Sequence, residues 1–329
     1  MVNEANVAAL HTAIRDRAIV GTFLPAVFVL EPTNRCNVKC VMCPNKRFKG
    51  GELGDVSLDA WQARITSIAP VAELVMMYFM GESTLHPVFA DLMAAARRGL
   101  RGRLVLSTNA MELTQTAAQA MIDNLDVIIV CIDRWNAGAY EAIRRGGVFN
   151  DVVSAVEMLL RLRGQSSTPE IVVKTLDLTL SSEPRSQLER EERAFDEFWR
   201  ARGAVPLSGW LNTWAGQFLS LAKLATRGTP YSSSKRGPCA DLWFKMVINW
   251  RGEVVMCCHD WRSQTVIGSL PESDLHELWH SEILQRMRSE HSAGNFAQSR
   301  LCGGCREWGE ADELDAYLRL DESDMFRVF

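Results

Sequence analysis

The sequence predicts an α/β fold: a partial (β/α)6 barrel followed by a small C-terminal domain built from a β-hairpin plus helix. Three observations carry this. Short apolar runs rich in β-branched residues alternate with helical patterns through the first two-thirds of the chain. The alternation stops near residue 224. The cysteines, apart from a lone Cys131, fall into two groups, one at each end of the alternating region.

The first strand is expected at Ala26–Leu30, after an N-terminal helical extension over residues 1–25. Helix Leu58–Ile68, strand Leu74–Phe79 and helix Val88–Arg98 follow, the last closed by Gly99. Strand Leu104–Ser107 precedes a helix at Gln115–Asp123, and strand Val127–Ile132 leads into helical stretches Ala137–Arg145 and Val152–Leu162. Ile171–Leu176 and Pro206–Leu211 complete six strands, separated by the charged helix Ser186–Arg202. In such folds the loops after the strands carry the chemistry. The barrel is expected over 1–223, a Ser-rich and basic linker over 224–237, and the second domain over 238–329. There, Phe244–Asn249 and Glu253–Cys257 flank Trp250–Gly252 as a hairpin, followed by one helix over Leu275–Ser289.

The chain has 329 residues, 47% of them hydrophobic, enough for a sizeable core. Its formal charge of −4, from 36 Lys+Arg and 40 Asp+Glu without a long run of one sign, argues against a nucleic-acid partner. The longest apolar stretches, Val127–Ile132 and Leu74–Met80, are too short to span a bilayer, and no apolar signal core opens the chain. A cytoplasmic protein with no membrane partner and a small-molecule substrate is expected.

Nine cysteines in such a protein point to metal or redox chemistry before disulfides. Cys36, Cys40 and Cys43 form CxxxCxxC directly after the first strand. Three thiolates at this spacing can hold three irons of a cube and leave the fourth open. A zinc site is the alternative and needs a fourth ligand from elsewhere.

In this pattern and its position after strand one, the chain resembles the radical S-adenosylmethionine (SAM) superfamily. The resemblance implies a [4Fe–4S] cluster whose open iron binds SAM, and reductive cleavage to a 5′-deoxyadenosyl radical that abstracts hydrogen from a substrate. It also implies an external electron donor such as flavodoxin or ferredoxin. Segment YFMGESTLHP, residues 78–87, stands where the family has a Gly-Gly-Glu type motif, so Gly81 and Glu82 would receive the SAM amino group. Met80 and Ser83 depart from that motif, and a solvated loop charge is the other reading of Glu82. Ser107 and Asn109 end the third strand, where the family places polar contacts to SAM; an ordinary turn is the alternative. Met42 would lie near adenine. Asp133 and Arg134, followed by YEAIRRGG, would contact SAM or substrate, or form a salt-bridged rim. Cys131 reads as a core thiol.

Cys239, Cys257, Cys302 and Cys305 make a four-thiolate set for a second [4Fe–4S] cluster, with a zinc knuckle as rival. The layout, with NWRGEVVMC at 249–257 and LHELW at 275–279, resembles the shortened SPASM module called twitch, and the ligand spacing is similar to that of a twitch-bearing dehydrogenase of aminoglycoside biosynthesis. Cys258 is an alternative ligand, a packed thiol or a hydrogen-atom donor. His259 and Asp260 are candidate bases, or simply hairpin residues. The resemblance implies hydrogen abstraction from a sugar, aminocyclitol or nucleoside, with dehydrogenation the favoured outcome and the second cluster accepting the electron. Epimerisation through Cys258, and decarboxylation, dehydration or coupling, are alternatives; a metal-bound structural protein is the non-enzymatic one. Trp210, Trp214, Trp243, Trp250 and Trp261 would either line a sugar-stacking wall or pack in the core.

Overall fold

A computed structural model describes residues 3–180, 183–225, 236–321 and 324–325. Six parallel strands form the barrel wall: β1 (Val27–Leu30), β2 (Leu74–Met76), β3 (Arg103–Thr108), β4 (Val127–Asp133), β5 (Glu170–Leu176) and β6 (Val205–Gly209). Each is separated from the next by helix: α2 (Leu58–Ile68), α3 (Phe89–Gly99), α4 (Gln115–Asn124), α5 (Ala137–Ile143) with α6 (Phe149–Arg163), and α7 (Arg185–Arg200), after α1 (Glu4–Asp16) at the N-terminus. Side-chain caps explain several starts: Ser57, Thr114 and Asn136 accept the N–H groups of Ala60, Ala117 and Ala139. Strands β1 and β2 are buried at every position, as covered parallel strands require. Pro206 fits β6 because that strand is the sheet's edge, where a missing N–H leaves no ladder bond unmade.

The C-terminal third departs from the expected hairpin domain. Strands β7 (Lys245–Ile248), β8 (Glu253–Val255) and β9 (Val266–Ser269) form an antiparallel unit, and β7 pairs in parallel with β1. The sheet order among the described residues is therefore β9-β8-β7-β1-β2-β3-β4-β5-β6, one continuous sheet. Its buried residues belong to one core that runs from Leu10 through Trp61 and Ile128 to Trp243, Trp279 and Leu314. Arg64 of α2 reinforces the join by donating to the carbonyls of Trp250 (3.0 Å) and Leu270 (3.3 Å). The expected linker, 224–237, falls largely on residues 226–235, outside the described ones.

The single helix expected over 275–289 is two, α8 (Leu275–Trp279) and α9 (Glu282–Ser292), because Ser281 leaves helical geometry and caps Leu284. A last helix, α10 (Glu313–Arg319), packs Tyr317 against Phe244. No helix among the described residues is long and apolar enough to cross a membrane.

Candidate active site

A cavity of about 310 Å³ opens at the C-terminal ends of the barrel strands. Cys36, Cys40 and Cys43 line it from the β1 loop, Gly81 and Glu82 from the β2 loop, Ser107 and Asn109 from β3, Lys174 from β5, and Trp210 and Trp214 from the segment after β6. Two expected SAM contacts need qualification. Met42 lines the cavity, but its carbonyl is engaged by Trp214 Nε1 at 2.9 Å. Asp133 does not line it.

The cysteine loop is held by backbone, not by its sulfurs. Lys39–Cys40 pairs antiparallel with Arg144–Arg145, and Asn45 Nδ2 donates to the carbonyls of Asn34 and Met80, both at 2.7 Å. Burial pushes the Cys36 thiol up to about 11 and Cys40 to about 12, so without a cationic partner these sulfurs stay protonated. Irons supply that charge, and the amide of Asn45 donates to Cys43 Sγ at 3.4 Å, a contact that supports a thiolate ligand. The residues present fit an iron–sulfur cluster.

Glu82 is a buried acceptor rather than a solvated loop charge. Its carboxylate takes hydrogen bonds from Thr108 Oγ1 (2.6 Å), Asn109 N (2.7 Å) and Thr84 Oγ1 (2.8 Å), which fix its direction. Gly81 must be glycine: a Cβ there would lie 2.1 Å from the Thr33 carbonyl oxygen. Met80 in place of a glycine is accommodated, its side chain buried and its N–H donated to Glu31 Oε1 at 2.8 Å. Glu31 also accepts from Trp250 N at 3.0 Å, so one buried carboxyl ties β1, the β2 loop and the β7–β8 turn. Burial pushes its pKa up to about 7 against those stabilising bonds.

Asp133 stands behind the cavity wall and grips Arg144, which lines it, with Oδ2 to Nε at 2.6 Å and Oδ1 to Nη2 at 3.1 Å. Its φ of 62° and the Arg134 N–Ile132 O bond of 2.7 Å make a tight turn at the strand end. Arg144, which sequence reasoning passed over within YEAIRRGG, is thus the cationic group in the cavity wall beside Cys40. Arg134 forms the expected rim instead, bridging Glu183 and Glu191.

The second thiol group assembles from β7–β9 and the C-terminal turn. Burial raises Cys239, Cys257 and Cys305, and neighbouring thiols raise them further: Cys305 acts on Cys239, Cys258 and then Cys302 and Cys239 on Cys257, and Cys302 on Cys305. Backbone N–H groups point at the sulfurs, Gly309 to Cys239 at 3.2 Å and Glu307 to Cys305 at 3.3 Å. Every cysteine is unpaired, and among the described residues no three His, Cys, Asp or Glu side chains converge as one metal ion requires. Four thiols, two of them met by backbone N–H groups, are the donor set that an iron–sulfur cluster takes.

Cys258 lies within electrostatic reach of Cys257 as well as of Lys245 and Tyr317, and its side chain hydrogen-bonds His259. Neither residue lines the cavity, nor does Asp260, whose carboxylate is spent on the amides of Gln264 and Thr265, both at 2.8 Å. The structure thus brings none of the three to the cavity wall. Of the five tryptophans, Trp210 and Trp214 line the cavity, whereas Trp243 is buried and donates to the Ala18 carbonyl. Trp250 packs on Gly54, and Trp261 meets Phe48 and Phe218. Trp214 joins the two thiol-bearing regions: its Nε1 binds the Met42 carbonyl, and its ring meets His259 edge-on at 6.3 Å.

Residues 30–175 match the Radical SAM superfamily, and residues 239–306 match SPASM, an iron–sulfur cluster-binding domain. A tungsten-containing aldehyde ferredoxin oxidoreductase cofactor-modifying protein of Pyrococcus furiosus is 25% identical over 295 residues, 77% of this chain and 80% of its own. An S-adenosyl-L-methionine-dependent 2-deoxy-scyllo-inosamine dehydrogenase of Niallia circulans is 20% identical over 280 residues, 84% of this chain and 90% of its own. Among solved structures, BtrN in complex with AdoMet and 2-DOIA superposes with a TM-score of 0.58 at 18% identity, covering 86% of this chain and 94% of that one. Streptococcus suis SuiB bound to the precursor peptide SuiA gives a TM-score of 0.64 at 12% identity, over 94% and 77% of the two chains.

Proposed function

Because this chain is a radical SAM enzyme with a C-terminal SPASM iron–sulfur domain, we propose that it dehydrogenates a small hydroxyl- or amine-bearing ring, of the sugar or aminocyclitol class. In this reading Cys36, Cys40 and Cys43 hold the SAM-binding [4Fe–4S] cluster, and Cys239, Cys257, Cys302 and Cys305 hold one further [4Fe–4S] cluster that accepts the substrate's electron. When bound, the first cluster and SAM supply hydrogen-atom abstraction from an unactivated C–H bond. The observation that carries the reading is the shared cavity: its wall is polar at Ser107, Asn109, Lys174 and Asn212, and Trp214 links it to the second thiol region. An aminocyclitol dehydrogenase among the relatives, matched over 84% of this chain, supports the substrate class.

The chain's own residues would divide the work. Glu82, fixed by donors from Thr84, Thr108 and Asn109, offers an anionic partner to the SAM ammonium, and Arg144, fixed by Asp133, offers a cationic partner to a carboxylate. Trp210, Leu211 and Trp214 would give the bound substrate an apolar wall. Gly81→Ala, which forces a Cβ onto the Thr33 carbonyl, is expected to abolish SAM binding by calorimetry while iron content is retained. Unchanged SAM affinity would remove Gly81–Glu82 from the SAM site.

The function is tested by anaerobic reconstitution with SAM, a strong reductant and 2-deoxy-scyllo-inosamine deuterated at its carbinol carbons. One ketone per 5′-deoxyadenosine, with deuterium carried into the nucleoside, is expected. An epimer that takes solvent hydrogen, without net oxidation, would replace dehydrogenation by epimerisation. No turnover of this or related aminocyclitols would sink the substrate class.

A further inference from the structure

Four ionisable side chains of the cavity wall, apart from cysteines, are Tyr78, Glu82, Arg144 and Lys174; burial raises the Tyr78 phenol, whose hydroxyl meets Met76 Sδ at 3.4 Å, and two of the others are already committed. Glu82 accepts from Thr84, Thr108 and Asn109, and Arg144 is clamped by Asp133. Lys174 makes no hydrogen bond or ion pair among the described residues, although its stem is packed in place. Gly209 gives it room, since a Cβ there would lie 2.3 Å from Lys174 Cε. Its strand β5 stands three strands from β2, whose loop carries Glu82, and pairs Lys174 with Cys131. The amine therefore enters from the wall opposite the Gly81–Glu82 side.

Building on the dehydrogenase reading, we propose that Lys174 is the catalytic base, its neutral amine accepting the hydroxyl proton of the substrate carbon that is oxidised. After that carbon has given its hydrogen atom to the SAM-derived radical, Lys174 takes the O–H proton and becomes an ammonium. The remaining electron would be taken by the oxidised iron–sulfur cluster that Cys239, Cys257, Cys302 and Cys305 would hold, leaving the C–O bond as a carbonyl. Two bonds, C–H and O–H, are broken, and the substrate loses two electrons. Deprotonation makes the radical a stronger reductant, which is why a base at this point matters.

The surroundings suit a neutral amine. Burial lowers the pKa of Lys174, opposed by Cys131 and Asp133 from β4 and assisted by Arg144. The neighbouring strand β6 presents Leu207 and Gly209, with no titratable side chain toward it. Since the amine acts when neutral, ketone formation should rise with pH through the Lys174 pKa.

Lys174→Met and Lys174→Arg test this with 2-deoxy-scyllo-inosamine as probe. Both variants are expected to keep iron content and SAM cleavage, lose ketone about a hundredfold and accumulate a substrate radical visible by electron paramagnetic resonance. The acidic limb of the wild-type pH profile should vanish in whatever turnover remains. Ketone formed at the wild-type rate by either folded variant would overturn the proposal. So would equal loss of 5′-deoxyadenosine and ketone without an accumulated radical, which would make Lys174 a binding residue. A wild type that forms no ketone would instead overturn the dehydrogenase reading on which it rests.

Discussion

Replacing Cys36, Cys40 and Cys43 together with alanine is expected to give a folded protein with about four irons where the wild type holds about eight, and to abolish SAM cleavage. The fold should survive because the sulfurs do not build the loop. The Lys39–Cys40 ladder with Arg144–Arg145 and the bonds from Asn45 Nδ2 use backbone and an amide, and they persist in the variant. Removing Cys239, Cys257, Cys302 and Cys305 should have the complementary result: SAM is still cleaved while the oxidised product disappears. Here a cost in stability is also expected, because the turn around Cys302 and Cys305 contains little helix or strand and depends on its ligands. Iron and sulfide analysis with quantitation of 5′-deoxyadenosine reads both outcomes. An iron content unchanged by the first triple substitution would remove these cysteines from the SAM-binding site.

Much of the barrel was legible because each parallel strand is a short apolar run between helices. Helix Leu58–Ile68 is found where expected, and the other barrel elements are shifted by a few residues at their ends. The β7 strand was taken as half of a free hairpin, yet all four of its residues are buried. A continuous apolar run is what a central strand needs, and its partner, β1, lies more than two hundred residues away, beyond local pattern. Strand β9 carries Val-Ile-Gly-Ser with no buried position, so it gave neither alternation nor an apolar run.

At the site, spacing revealed residues whose chemistry is local, the two cysteine groups and Gly81–Glu82. Residues defined by a distant partner stayed hidden. Glu31 acquires its role only when Met80 and Trp250 present their amides, and Arg144 only when Asp133 turns toward it. Lys174 was passed over within the strand expected at Ile171–Leu176, where it stands beside the equally polar Thr175. Conversely, Asp260 sits beside a cluster ligand in sequence, but the turn it caps points its carboxylate into the backbone. Adjacency in sequence was a poor guide because residues 257–260 lie past the strand end, in a turn whose backbone amides claim the carboxylate.

Asp133→Ala is expected to cost about 3–5 kcal/mol of stability and to abolish SAM binding. The carboxylate is buried with Arg144, and removing it leaves a guanidinium without counter-charge in the cavity wall. That guanidinium belongs to the segment that pairs with Cys40, so its displacement moves the cluster loop. Alanine also loses the local tolerance of aspartate for a φ of 62°. Asp133→Asn should lose less, since asparagine accepts this backbone geometry and still offers one oxygen to Arg144. The double variant Asp133→Ala/Arg144→Met separates charge from fold. With no orphaned cation it should recover much of the lost stability, while SAM binding remains absent because its cationic partner is gone. Urea unfolding and calorimetric SAM titration measure the two effects. A double variant as unstable as Asp133→Ala would place the cost in the backbone turn, not in the unpaired charge.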